Sequence, residues 1–181
     1  MFVKDGKGMF EIGGYVIYRS EGVCVVSDIR YENFGGSSKG EKYYILSPLN
    51  DRKSTVFVPV ENEKLVGMMR GLLSASDIEK MIAELRDERL EWIADSRGRG
   101  NRFKEILAIG DRRELIVLAN TVREKIEAMK ADGRKPCATD INALRKAEFL
   151  LFEEFSATLE IGTVNDISDL LLGKYAPKAK A

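Results

Sequence analysis

The chain has 181 residues, enough for one large domain or two small ones that each bury a core. Its 29 Lys and Arg balance 29 Asp and Glu to a formal charge of zero, which excludes a uniformly basic nucleic-acid coat and an acidic solvated tail. Histidine is absent, so Ser-His-Asp and Cys-His pairs, imidazole acid–base work and His metal sites are excluded too.

Cys24 and Cys137 are too few for a zinc site without histidine and make no disulfide framework; both read as reduced, partly buried thiols. The longest aliphatic stretches, such as Leu115-Ile116-Val117-Leu118-Ala119, fall far short of a membrane span, and residues 1–8 lack the apolar core of a signal peptide. Those eight residues read as extra sequence ahead of a start at Met9. A soluble, cytoplasmic chain without a membrane partner is expected.

Up to residue 64 the chain reads as strands. Tyr15-Val16-Ile17-Tyr18, Val23-Cys24-Val25-Val26, Tyr43-Tyr44-Ile45-Leu46 and Val56-Phe57-Val58-Pro59-Val60 are short, β-branched and aromatic, and bounded by turn formers. Ser20-Glu21-Gly22 fits a tight connection, Gly35-Gly36-Ser37-Ser38-Lys39-Gly40 a looser hairpin tip and Asn50-Asp51-Arg52-Lys53 a further turn. Four or five such strands at about ten-residue spacing predict a small, strongly bent barrel of SH3 or Tudor type.

From Leu65 the period turns helical. Ser76-Asp77-Ile78-Glu79 has the pattern of a capping box, and Ile78, Met81, Ile82 and Leu85 mark one buried stripe. A second helix is predicted over residues 102–109, stopped by Gly110, and a third from Asp111 with Leu115, Leu118, Ala119, Val122, Ile126 and Met129 inward. Asp132-Gly133-Arg134-Lys135-Pro136 ends it. Thr139 is read as the cap of a fourth helix carrying Leu144, Leu151, Phe155 and Leu159. The tail is expected to fray. The predicted class is α+β: a small Tudor- or SH3-like β-barrel over residues 1–64, an all-α helical bundle over 65–161, and a C-terminal tail over 162–181.

Positive charge is local. Residues 97–135 hold 11 basic and 6 acidic side chains, and Arg97, Arg99, Arg102 and Lys104 share or follow the Gly-broken run Asp95-Ser96-Arg97-Gly98-Arg99-Gly100-Asn101-Arg102. Read as a loop entering a helix, that run lets backbone amides and guanidinium groups approach a phosphate chain together; read plainly, it is a solvated face. Trp92, the only tryptophan, stands just ahead of it. It is either a core anchor or an apolar wedge for an unstacked minor-groove step. The paired carboxylates Glu153 and Glu154 do not make an acid–base couple, because adjacent helical residues point about 100° apart.

The succession Gly14-Tyr15-Val16-Ile17-Tyr18, Glu21-Gly22-Val23, Tyr43-Tyr44-Ile45-Leu46, Val56-Phe57-Val58-Pro59-Val60-Glu61 and Val66-Gly67-Met68-Met69-Arg70 resembles the CarD/CdnL family of bacterial RNA-polymerase-binding transcription regulators. That family shares its N-terminal module with transcription-repair coupling factors. In the second half, Asn101-Arg102-Phe103-Lys104-Glu105-Ile106-Leu107, the Gly110-Asp111 stop and start, and the long helix from Thr139 are similar to the family's helical domain. The resemblance runs from about Met9 to Ile161.

The resemblance implies a Tudor-like domain that docks on the RNA polymerase β subunit by strand addition. The matching docking positions are Arg30, Glu32 and Phe34 before the glycine loop, and Phe57 on the partner strand. Glu32 and Phe57 stand where family members carry polymerase-contacting arginines. The resemblance also implies that the helical domain meets promoter DNA, with little sequence preference, at the upstream edge of the bubble. There the matching positions are Trp92, Arg97, Arg99, Arg102 and Lys104. Arg99 occupies the spacing of the family's wedge tryptophan, and Trp92 lies seven residues earlier. The expectation is a monomeric, non-enzymatic regulator that stabilises the open promoter complex and needs no metal or cofactor. The alternative is a protein-interaction adaptor that binds polymerase or another sheet edge and never touches DNA.

Overall fold

The computed structural model describes residues 10–34, 40–51 and 53–180; the expectation about residues 1–8, most of the glycine loop and Arg52 lie outside them. The chain divides between Leu72 and Leu73 into a β unit and a helical unit.

The β unit is a five-stranded antiparallel sheet in the order β4-β3-β2-β1-β5, formed by β1 (Tyr15–Tyr18), β2 (Val23–Glu32), β3 (Glu41–Pro48), β4 (Val56–Pro59) and β5 (Met69–Arg70). One face buries Val16, Tyr18, Cys24, Val26, Tyr44, Leu46, Val58 and Met69 as a core. The sequence boundary at 64/65 moves because the next segment still belongs to this sheet. Asn62 caps a one-turn helix, α1 (Glu63–Val66), by accepting from the Leu65 amide at 3.1 Å. Then β5 pairs with β1 through Ile17↔Arg70 and Tyr18↔Met69. Leu65, Val66 and Met68 pack on the β core, so their helix-like spacing opens no bundle.

A bulge decides what β2 shows on its other face. Pairing with β3 runs Val26↔Leu46 and then Asp28↔Ile45, leaving Ser27 as the extra residue, its hydroxyl donating to the Ile45 carbonyl at 2.9 Å. An inserted residue shifts the side-chain phase by one. Ile29 therefore stays with Val26 on the core face, and Asp28, Arg30 and Glu32 turn to the opposite face.

The helical unit comprises α2 (Ala75–Leu85), α3 (Ser96–Ile109), α4 (Arg112–Ala131), α5 (Ala138–Phe155) and α6 (Asn165–Leu171). Ile116, Leu118, Ala119, Val122, Leu151 and Phe155 are completely inaccessible in its core. The helix starts follow local chemistry. Ser74, two residues before the predicted cap, accepts from the Asp77 amide at 3.2 Å and donates to its carboxylate at 2.6 Å. Asp111 accepts from the amides of Arg113 and Glu114, as predicted. Gly110, at φ +68°, closes α3 with its amide on the Ile106 carbonyl at 2.9 Å.

Three expectations change here. α3 begins at Ser96 instead of Arg102, because Asp95 caps it by accepting from the Gly98 amide at 2.6 Å. The glycine-broken run is thus helix, and Gly100 is small for packing: a Cβ there would lie 3.1 Å from the Thr139 methyl. α5 begins at Ala138 with Cys137 in the cap position, so Thr139 is inside the helix. The described tail does not fray. Ile167, Leu170 and Leu171 join the core, and residues 178–180 pair with 158–160 through Glu160 N–Lys178 O at 2.7 Å and Lys180 N–Thr158 O at 2.8 Å.

The two thiols differ sharply. Cys24 is fully buried, and burial, with the Glu21 carboxylate adding to it, pushes its thiol up to about 12. Cys137 is half-buried, and hydrogen bonds from Thr139, first its amide and then its hydroxyl, hold its thiol below the usual value. At pH 8 the native protein is expected to release one equivalent of chromophore from Ellman's reagent, traceable to Cys137, and a second only on unfolding. Equal labelling of both thiols in the native state would contradict this assignment.

Candidate functional site

The β unit assembles its candidate site on the face away from the core. Register places Asp28, Arg30 and Glu32 of β2 beside Ile45, Tyr43 and Glu41 of β3, and Phe57 and Pro59 of β4 beside Ile45 and Tyr43. Phe34 folds over this face. Its ring centroid lies 4.9 Å from that of Phe57 and 5.4 Å from that of Tyr43, with Tyr43 and Phe57 6.2 Å apart, all edge to face. Such geometry suits aromatic quadrupoles and adds to area burial. Phe34 nevertheless remains 63% exposed. Phe34 and Phe57 thus pack on each other outside the core rather than filling it.

A charged margin runs beside the triad. Arg30 donates to Glu32 at 2.6 Å and to Asp28 at 2.9 Å. Those two partners, Glu32 first, hold the guanidinium above its ordinary value, and Arg30 in turn holds the Asp28 carboxyl below its own. Tyr43 donates to Glu41 at 2.8 Å, which raises its phenol. Arg30, Glu32, Phe34 and Phe57 therefore come together on one face. The sequence reading placed Tyr43 in a strand but not among the docking positions; its place between the two phenylalanines follows only from the register.

The adjoining edge of β2 is also open. β1 pairs with β2 over residues 23–25, and the reciprocal bonds of Val26 with Gly13 and Gly14 end that ladder. Among the described residues, positions 28–32 pair on the β3 side alone. The Ile29 amide on this edge is held by the Asp28 carboxylate at 2.8 Å; a strand edge without a partner strand is a template for an added strand.

In the helical unit the predicted residues separate. Arg97, Asn101 and Lys104 are exposed and, at i, i+4 and i+7, share one face of α3. The Cα atoms of Arg97 and Lys104 stand about 10 Å apart along the axis. Arg102 points elsewhere, toward α4, with Glu105 at 3.4 Å and Glu114 at 3.5 Å; both are long, exposed pairs of little strength.

Arg99 is the correction. It is 5% exposed and bound through Nε and Nη2 to the Asp140 carboxylate at 2.9 and 3.0 Å. Its Nη1 donates to the carbonyls of Ile93 at 2.8 Å and Ala94 at 3.2 Å. A guanidinium so enclosed presents no fork to a phosphate, so Arg99 leaves the surface set.

Trp92 is half-buried on the helical core, 6.4 Å from the Phe103 ring. The Arg99 guanidinium carbon lies 4.4 Å from the indole centroid and the Lys125 ammonium 5.8 Å. Lys125 belongs to the positive segment in the sequence, but nothing there brings it to a tryptophan 33 residues earlier. Among the described residues no group of acidic or thiol side chains could hold a metal ion, and no helix is long and apolar enough to cross a membrane.

No curated protein matches the chain. Residues 10–72 match the family described as the CarD-like/TRCF RID domain, and the match ends where the helical unit begins. The N-terminal sheet, with its outward aromatic triad, is a CarD-like/TRCF RID domain.

Proposed function

We propose that this protein is a non-enzymatic transcription regulator that docks on the RNA polymerase β subunit through the outer face of its sheet. Its helical unit then touches promoter DNA at the upstream edge of the bubble and stabilises the open complex. The RID domain supports the first half, a transcription-related function with the polymerase β subunit as partner. The observation that carries the reading is the Phe34–Tyr43–Phe57 triad beside the open edge of β2. It supplies apolar anchors on the same sheet as a strand edge without a partner strand, the combination strand addition uses.

The DNA half rests on the exposed stripe Arg97, Asn101 and Lys104. Two or three phosphate contacts bind feebly alone, but tethering to polymerase raises their local concentration. A protein that binds the melted complex better than the closed one shifts opening by that difference, about 1.4 kcal/mol for each factor of ten. No consensus operator is expected, because phosphate contacts carry no base information.

The test is open-complex lifetime measured on polymerase with the full chain. The double variant Arg97→Glu and Lys104→Glu is expected to shorten the lifetime at least tenfold and to flatten its salt dependence by about 0.9 per lost phosphate contact. Polymerase recovery should be unchanged. An unaltered lifetime and salt slope would leave the adaptor that never touches DNA as the correct reading.

A further inference from the structure

A buried ion pair is weak evidence for stability, since hydrophobic residues of the same volume do as well or better. Among the described residues the helical unit nevertheless buries Arg99–Asp140 and Arg112–Glu154, and partly buries Arg123–Glu148. Arg99 differs in where its other donors go. They are committed to the carbonyls of Ile93 and Ala94, the two residues that follow Trp92. The same guanidinium sits over the indole, its carbon 4.4 Å from the ring centroid. One side chain thus grips both the backbone beyond Trp92 and the ring itself, and it is anchored in α5 through Asp140.

The position of Trp92 makes such a grip useful. It lies in the connection between α2 and α3, where residues 88–93 have neither helical nor strand structure. A tryptophan on irregular chain loses orientation unless side chains hold it, and a contact made by a mobile group carries the cost of ordering it.

We propose that Arg99 is the positioning residue for Trp92, fixing the indole from Asp140 of α5 so that its solvent-facing part meets DNA in one prepared orientation. The orientation claim stands on the helical unit's geometry alone. The DNA claim rests on the function proposed above.

Because Trp92 is the only tryptophan, its fluorescence reports the site without interference. The full chain is compared with Arg99→Lys, which keeps a charge but loses the four-bond fork, and with the double variant Arg99→Met and Asp140→Leu. The double variant removes both charges at similar volume and is chosen to keep the fold. Far-UV circular dichroism should match the parent in both. Acrylamide quenching of Trp92 is expected to rise at least twofold, with emission moving to the red. Open-complex lifetime should fall about three- to tenfold, to that of Trp92→Ala, and adding Trp92→Ala to the double variant should change nothing more.

Parental quenching in a folded double variant overturns the positioning role. Raised quenching with an unchanged lifetime also overturns it if Trp92→Ala shortens that lifetime. If Trp92→Ala has no effect on lifetime, a fork contact by the indole fails, while quenching still decides whether Arg99 orients the ring.

Discussion

Phe34→Glu and Phe57→Glu are each expected to reduce affinity for the RNA polymerase β subunit by about thirtyfold to a thousandfold, the loss of roughly 2–4 kcal/mol that removing a central aromatic anchor causes. The three rings make one surface, with centroid separations of 4.9 to 6.2 Å, so a carboxylate at either position breaks it. It also adds negative charge where Asp28, Glu32 and Glu41 share the face. Folding should survive, because Phe34 is 63% exposed and neither phenylalanine belongs to the buried core of the unit. Arg30→Ala should matter far less, changing affinity by less than about fivefold, since its exposed partners Glu32 and Asp28 return to water when it is lost. Co-purification with polymerase core, followed by titration of the purified variants, measures all three. Parental affinity in well-folded Phe34→Glu and Phe57→Glu would remove this face from the docking surface.

The α+β class was legible because strands and helices have different apolar periods, and that change survives without any tertiary information. Caps such as Asp111 and stops such as Gly110 are equally local, so they were legible too. The Ser27 bulge was not. Nothing in Val26-Ser27-Asp28 announces an extra residue, yet without it Arg30 and Glu32 would face the core. The first turns of α3 were hidden for a related reason. Gly98 and Gly100 lower helix propensity by about 1 kcal/mol each, but the Asp95 cap and the contact with Thr139 outweigh it. Arg99 shows the limit of reading charge along a chain: its carboxylate partner is 41 residues away, so a buried latch and a surface cation look identical in sequence. The order of the RID motifs brought Arg30, Glu32, Phe34 and Phe57 to notice together, and the strand register explains why they share a face.

Asp140→Ala is expected to be among the costliest single substitutions in the helical unit, about 3–5 kcal/mol. The side chains of Arg99 and Asp140 are 6% and 1% exposed, so removing the carboxylate leaves a guanidinium enclosed by protein with two of its hydrogen bonds broken. It cannot shed its charge to relieve the strain, because arginine stays protonated in proteins. The Arg99→Met and Asp140→Leu pair should instead lie within about 1 kcal/mol of the parent, since the desolvation of both ions disappears with their attraction. The two results together separate the cost of breaking the latch from its net contribution. Urea denaturation followed by Trp92 fluorescence reads the helical unit alone, and a fall in midpoint at constant slope reports stability rather than a changed unfolded state. A midpoint for Asp140→Ala close to the parental one would mean that water reaches Arg99. The guanidinium would then be free to swing off the indole, and the fixed orientation of Trp92 would lose its physical basis.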